Sequence, residues 1–205
     1  MRTQRSTGGA CGGGSEPRSL LALLSPLVFL SLLCLPTATL ACYNAVGDQM
    51  STQTKTSYVK QAEHLIEQGD PRKALALLDK VGQEFDDRHL QRRAQRTRLA
   101  AELDLQRLEP DAAARTAELR RIVRDLRILA QVDSDPTLAT LAADAYALLG
   151  KTAEAAALLE PLASLDVVPD ARGWRTLATL RTGPARDEAL ARCRGAALNP
   201  DLCAL

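Results

Sequence analysis

The feature that most limits what this chain can fold into is a succession of short segments, apolar at three- and four-residue steps, separated by glycine, proline and aspartate. Gly69-Asp70-Pro71 offers a helix-ending glycine, a capping aspartate and a proline suited to the first position of a new helix. Gly150-Lys151-Thr152 and Thr182-Gly183-Pro184 repeat that punctuation. It divides the chain into eight expected helices: Ser57–Gln68, Pro71–Phe85, Arg88–Leu108, Asp111–Gln131, Pro136–Leu149, Thr152–Ser164, Ala171–Arg181 and Pro184–Leu198. No stretch alternates valine or isoleucine as a half-buried strand does. Apolar residues make up 46% of the chain but aromatics only 3%, and alanine and leucine dominate, so packed helices are favoured over sheets. The expected fold class is all-α, built from four helix-turn-helix hairpins.

Small and large apolar residues recur at set places within these hairpins. Ala62 and Leu65 lie on the first helix and Gly69 in its turn, while Ala74, Leu77, Leu78 and Val81 form a stripe on the second. Ala143, Tyr146 and Gly150 occupy matching places in the third hairpin, and Trp174 and Ala178 in the fourth. Ala155 and Ala189 are 34 residues apart and each follows a glutamate, Glu154 or Glu188. With Gln68-Gly69-Asp70, Ala74-Leu75 and the ending Leu198-Asn199-Pro200-Asp201, this spacing resembles the tetratricopeptide repeat (TPR) family, whose unit is a helical hairpin of about 34 residues. The resemblance covers most of Ser57 to Asp201, with a middle hairpin longer than the family's unit. It implies a right-handed superhelical stack of about four hairpins, because a single hairpin cannot bury its own apolar face. It also implies a protein or peptide partner, held in a groove lined by the first helix of each hairpin, and no catalysis and no small-molecule cofactor.

The N-terminus has a different character. Arg2, Arg5 and Arg18 precede an apolar run from Leu20 to Leu35, and small residues follow, the order of a secretory signal peptide. Pro26 and Pro36 disfavour the alternative, a permanent signal anchor. Thr39-Leu40-Ala41-Cys42 resembles a bacterial lipobox, in which Cys42 would carry the lipid, and it also suits ordinary signal peptidase. The expected organisation is a signal peptide over 1–41, a flexible tether over 42–56 and the helical domain over 57–201. The protein is then exported to the bacterial cell envelope, with membrane attachment if Cys42 is acylated. Cleavage leaves Cys42, Cys193 and Cys203, an odd number in an oxidising compartment. With Cys42 lipidated, Cys193 and Cys203 are free to pair; the alternative to a bridge is that Cys193 is a small core residue on a helix.

Chemistry leaves little trace. The 26 basic and 25 acidic residues nearly cancel, so no overall field draws the protein to nucleic acid. Gly150-Lys151-Thr152 echoes the end of a phosphate loop, but it lacks the other glycines and follows a helix instead of a strand. The two histidines, His64 and His89, have no second ligand at helical spacing and no Cys-x-x-Cys is present, so no metal site is expected. No serine sits in a glycine-flanked elbow. The arginines are more suggestive: Arg88, Arg92 and Arg96 form one stripe and Arg120, Arg124 and Arg127 another. Lying close together, Arg92, Arg96, Arg120, Arg124 and Arg127 would contact an anionic ligand; the competing reading is a solvated face paired with Asp104, Glu118 and Asp125. The leading functional expectation is therefore a scaffold or adaptor of the envelope, and the alternative is a lipid-associated coat that applies its arginine stripes to an anionic membrane.

Overall fold

Glycines and caps set the boundaries of the helices. A computed structural model describes residues 50–82 and 84–205. Its helices are α1 (Thr52–Glu67), α2 (Pro71–Val81), α3 (Arg88–Gln106), α4 (Ala112–Ala130), α5 (Pro136–Leu148), α6 (Thr152–Ser164), α7 (Ala171–Leu180) and α8 (Pro184–Ala196), followed by a 3-10 turn at Pro200–Cys203. No strand occurs among the described residues, and the fold class is all-α. The signal peptide expected over 1–41, and Cys42 with it, lie outside the described residues.

Aspartates begin most of the later helices. Asp87, Asp111, Asp135 and Asp170 each accept a backbone N–H of the following first turn, which removes an otherwise unpaired donor. Pro71, Pro136 and Pro184 stand at the first helical positions. At the other ends, Gly69 and Gly150 adopt φ of 87° and 74°. This lets the next N–H turn back, Asp70 to the Leu65 carbonyl at 2.8 Å and Lys151 to the Tyr146 carbonyl at 2.9 Å.

Two boundaries differ from the sequence reading. Residues 52–56, assigned to the tether, belong to α1: Ser51 caps the helix by accepting from the Thr54 amide at 3.2 Å, and Lys55 lies over the Phe85 ring at 5.6 Å. The threonines that lowered the segment's helical propensity are outweighed by that cap and by Val59, fully buried one turn further on. The second helix stops at Val81 instead of Phe85, because Gly82 takes φ of 74° and leaves helical geometry. The domain also runs past 201, since Cys203 is buried.

Each helix packs on its neighbours in the chain, and α1 also packs on α3, α3 on α5 and α5 on α7. The even-numbered helices do not pack on one another among the described residues. Thus α1, α3, α5 and α7 form a continuous row, flanked by α2, α4, α6 and α8. Alanine makes this approach possible. Ala62, Ala74, Ala143, Ala155 and Ala189 are completely buried, and Ala178 nearly so. Leu78, Tyr146 and Trp174 fill the spaces between helices, while Leu65 is only half-buried and Ile66 takes the inward position on α1. Gly173 marks the tightest approach: a Cβ there would stand 2.5 Å from Val168 Cγ1 and 2.9 Å from Thr140 Cγ2 of α5.

Candidate binding face and its charge network

The inner row carries most of the buried charge. Asp144 is the only charged residue of α5 and, at 2% exposure, is essentially out of water. It accepts from Arg107 at the end of α3, from Arg172 of α7 at 3.1 Å and from the Thr176 hydroxyl at 2.9 Å. Arg172 in turn makes two parallel bonds to Asp104 of α3, at 2.7 and 2.6 Å. Three of the four inner helices are therefore joined by one ionic cluster, as a low-dielectric interior requires of any charge held there.

The electrostatics of this cluster follow from burial and partners. Burial pushes the Asp144 carboxyl up, but the charges of Arg107, Arg172 and Arg175, with the Arg107 hydrogen bond, outweigh it and hold the group at about 2. For Arg172, burial works against the charge, and the pull of Asp104, Asp144 and Asp170 raises its pKa above the ordinary arginine value. Arg175 is less well provided. Burial lowers it to about 10; Asp144 lies 3.6 Å away, its Nη1 donates to the Leu202 carbonyl at 3.2 Å, and its buried Nε has no hydrogen-bond partner. Asp170, which caps α7 through the Gly173 amide and accepts from Thr140, is raised by burial despite those bonds.

A cavity of about 410 Å³ opens on this row. Its lining includes Ile66 of α1, Arg96 of α3, Leu141 of α5 and Arg172 of α7, one residue from each inner helix. Leu198 and Leu202, from the segment after α8, complete it. Its cations are engaged. Arg93 forks onto Glu63 at 2.7 and 2.5 Å, Arg96 pairs with Asp135 and Arg172 with Asp104. The face thus combines apolar side chains with ion pairs already closed within the protein.

Members of the two arginine stripes line different cavities. Arg92 donates to the Val132 carbonyl at 3.1 Å, and Arg96 faces the inner cavity. Arg127 instead lines a separate, largely apolar cavity between α4, α5 and α6, where its guanidinium lies 5.9 Å from the centre of the Tyr146 ring. The reason is the alternation of layers, which places α3 in the inner row and α4 outside it. The acids expected to neutralise α4 are largely taken by a residue outside both stripes. Arg121 binds Glu118, Asp125 and Glu102 and has its pKa raised, chiefly by the Glu118 hydrogen bond. Arg120, Arg124 and Arg127 are exposed, and of these only Arg124 has an ion pair among the described residues, at 3.6 Å to Asp125.

The sequence reading also passed over Asp144, Arg172 and Arg175, and it gave Asp104 to a solvated face with the arginine stripes, where the structure pairs it with Arg172. One signal was available: a lone aspartate in Leu141-Ala142-Ala143-Asp144-Ala145-Tyr146, an otherwise apolar helix. Its partners lie 28 to 37 residues away, beyond the reach of periodicity. Cys193 and Cys203, spaced 10 apart, are joined by a disulfide with a Cα–Cα distance of 6.0 Å. No group of three or more His, Cys, Asp or Glu among the described residues is placed to hold a metal ion. No family model, curated protein or solved structure matches the chain.

Proposed function

We propose that the protein is a scaffold or adaptor of the bacterial cell envelope that holds a peptide or protein partner on the face formed by α1, α3, α5 and α7. The observation that carries this reading is the unbroken row of those four helices with one cavity lined by all of them. In such a row, stacked hairpins of the TPR type would curve so that the first helices line the groove. Apolar side chains there supply contact area, and the closed ion pairs of the floor supply rigidity without a net charge to select an acidic or basic partner. Export through the 1–41 segment, with Cys42 as a lipid anchor, would place that face in the envelope; the mass of the mature N-terminal peptide tests this, an unmodified Cys42 thiol excluding the anchor.

A photo-crosslinking amino acid tests the adaptor reading. Placed at Glu67 or Thr137, which border the inner face, it is expected to capture a defined protein in cells, whereas at Arg186 on exposed α8 it captures none. Adducts of equal yield from both faces, or from neither, would overturn the reading.

One observation favours a second reading, a coat protein lying on an anionic membrane. Arg120, Arg124 and Arg127 are exposed on α4 beside Ile128 and Val132, which are 57% and 65% exposed, a pairing of cations with apolar side chains suited to a lipid surface. No helix among the described residues is long and apolar enough to cross a membrane. Salt-sensitive sedimentation with vesicles of anionic lipid, abolished by Arg120→Ala, Arg124→Ala and Arg127→Ala together, is the outcome that this reading requires.

A further inference from the structure

The chain does not leave the fold after its last helix. Beyond Ala196 it turns back over the inner face, where Ala197, Leu198 and Leu202 line the cavity opposite Ile66, Leu141 and Arg172. Its contacts reach the first hairpin. Asn199 Nδ2 donates to the Gln68 carbonyl at the end of α1, at 3.3 Å and across 131 residues of sequence. Beside it, the strap lies in ordinary van der Waals range of Gly69, where a Cβ would stand 3.6 Å from Asn199 Nδ2 and 3.8 Å from Leu202 Cδ2. The Leu202 carbonyl accepts from Arg175 at 3.2 Å, giving a partner to the least satisfied arginine of the buried cluster. One residue later Cys203 is bonded to Cys193 of α8, with both sulfur-bearing residues buried. The segment is therefore a strap fixed at both ends, by the chain at Ala196 and by the disulfide at Cys203.

This strap touches the inner row as a bound peptide would. Ala197 and Asn199 have extended backbones, with ψ of 134° and 107°. Only two hydrogen bonds, one from Asn199 and one to Leu202, join it to the helices α1 and α7 or their ends. Leu198 stays 62% exposed, and the cavity beneath is not filled. A segment serving only to complete the core would be expected to bury that leucine and close the space. What holds so sparse a set of contacts in place is the tether, since a short loop keeps its segment at an effective concentration in the millimolar range.

We propose that residues 197–202 act as an intramolecular ligand of the inner face, kept there by the Cys193–Cys203 bond, and that a peptide extended up to an amide side chain, then turning to place a leucine three residues on, binds by displacing them. This deepens the adaptor reading and rests on it. The strap sets a threshold: a partner gains the face only when its contacts exceed those of the tethered segment. It also gives the partner its chemistry, an amide to meet the exposed carbonyl at the end of α1 and an apolar side chain to sit against Gly69.

The test uses the full chain, labelled with 15N, and a synthetic peptide of residues 197–205 in which Cys203→Ser prevents disulfide exchange. The Asn199→Ala, Leu202→Asp double variant loosens the strap and leaves both cysteines in place. With peptide at about 0.1 mM, well below the effective concentration of a short tether, the amide signals of Gln68, Gly69 and Arg175 are expected to shift in the variant and to move far less in the unaltered protein. A variant with undiminished helical circular dichroism whose signals ignore the peptide overturns the proposal, and so does an unaltered chain that binds the peptide as strongly. If the double variant loses helix, the Cys203→Ser chain replaces it. That chain keeps the strap's contacts and its attachment at Ala196 but loses the anchor at Cys203, so the same peptide is expected to shift the same three signals more than in the unaltered chain, and equal shifts in the two overturn the proposal. Because the probe is the chain's own segment, the result does not depend on an outside partner: failed photo-crosslinking with successful peptide binding removes the adaptor reading alone, and the reverse pattern removes the strap alone.

Discussion

Arg172 of α7 grips Asp104 of α3 through two N–H···O bonds of 2.7 and 2.6 Å, joining residues 68 apart in sequence, and the same Nη1 reaches Asp144 of α5 at 3.1 Å. The cluster has consequences when one member is lost, because the charges left behind cannot reach water. Asp144→Asn leaves Arg107, Arg172 and Arg175 around a neutral amide, with Asp104 as their nearest remaining anion. Breaking a buried pair in this way costs about 3 to 5 kcal/mol, a large share of the total for a domain whose stability is about 5 to 15 kcal/mol. The exposed pair of Arg98 and Asp79, at 2.7 Å, provides the control. Asp79→Asn is expected to change stability by less than about 1 kcal/mol. Urea unfolding of both variants gives the comparison, and equal losses would show that the cluster does not hold the inner row together.

Acidification probes the same residue. The Asp144 carboxyl lies at about 2, below the ordinary 3.8, so its ionised form favours the folded state. That contribution, about 2 kcal/mol, is complete above the ordinary value and disappears as the pH falls through the folded one. Asp170 acts in the opposite sense, since burial raises its pKa and its charge weighs against folding until it is protonated. Urea midpoints measured from about pH 5 down to about pH 2 are expected to fall for the unaltered chain and to fall less steeply for Asp144→Asn. Parallel curves for the two proteins would mean that the carboxyl is not held low in the native state.

The helices were largely legible in the sequence because their signals are local. Gly69 and Gly150 announce left-handed residues, Pro71, Pro136 and Pro184 announce first turns, and alanines at helical spacing mark close approach. Local reading failed where a long-range contact decided the outcome. The start of α1 depends on Ser51 and on Lys55 meeting Phe85, thirty residues away. The inner charge cluster was illegible for a related reason: arginine and aspartate are assigned to the surface by their type, and only their partners reveal them as buried. The strap's Asn199-Pro200-Asp201, which looks like the end of a repeat, reaches back to the first hairpin through a single amide that no spacing rule foreshadows.

Loss of the disulfide should weaken the fold measurably without dismantling it. The bond closes a short loop with a sequence separation of 10 and joins two buried cysteines, so its removal frees the unfolded chain and loosens the turn against α7 and α8. Constraint of a loop that short is worth about 2 to 3 kcal/mol. The Cys193→Ala, Cys203→Ala variant is expected to unfold at lower urea concentration by that amount and to keep its helical circular dichroism. Hydrogen exchange should quicken first at Leu202 and Ala204, whose amides are paired within the final turn. An unchanged midpoint would indicate that the tail is held by its other contacts alone.

The close approach of α7 to α5 makes Gly173 a sensitive position. Helix propensity alone favours Gly173→Ala by about 1 kcal/mol, because alanine loses less backbone entropy on folding. Against this, the new Cβ would stand 2.5 Å from Val168 Cγ1 and 2.9 Å from Thr140 Cγ2. Both neighbours are β-branched and stiff. Thr140 is also fully buried, and its hydroxyl donates to the Thr137 carbonyl at 2.9 Å with an Asp170 oxygen 3.3 Å away as the alternative acceptor, so it has little room to rotate. Overpacking of this kind costs about 1 to 3 kcal/mol, and the net effect is expected to be destabilising. Thr140→Ser, which deletes the methyl and keeps the hydroxyl, should recover part of the loss when combined with Gly173→Ala, whereas Gly195→Ala, with no neighbour within 4 Å of its Cβ, should stabilise. Urea titrations of the four proteins form a double-mutant cycle with that external control. Additivity of Gly173→Ala and Thr140→Ser would mean that the two helices do not meet at this point.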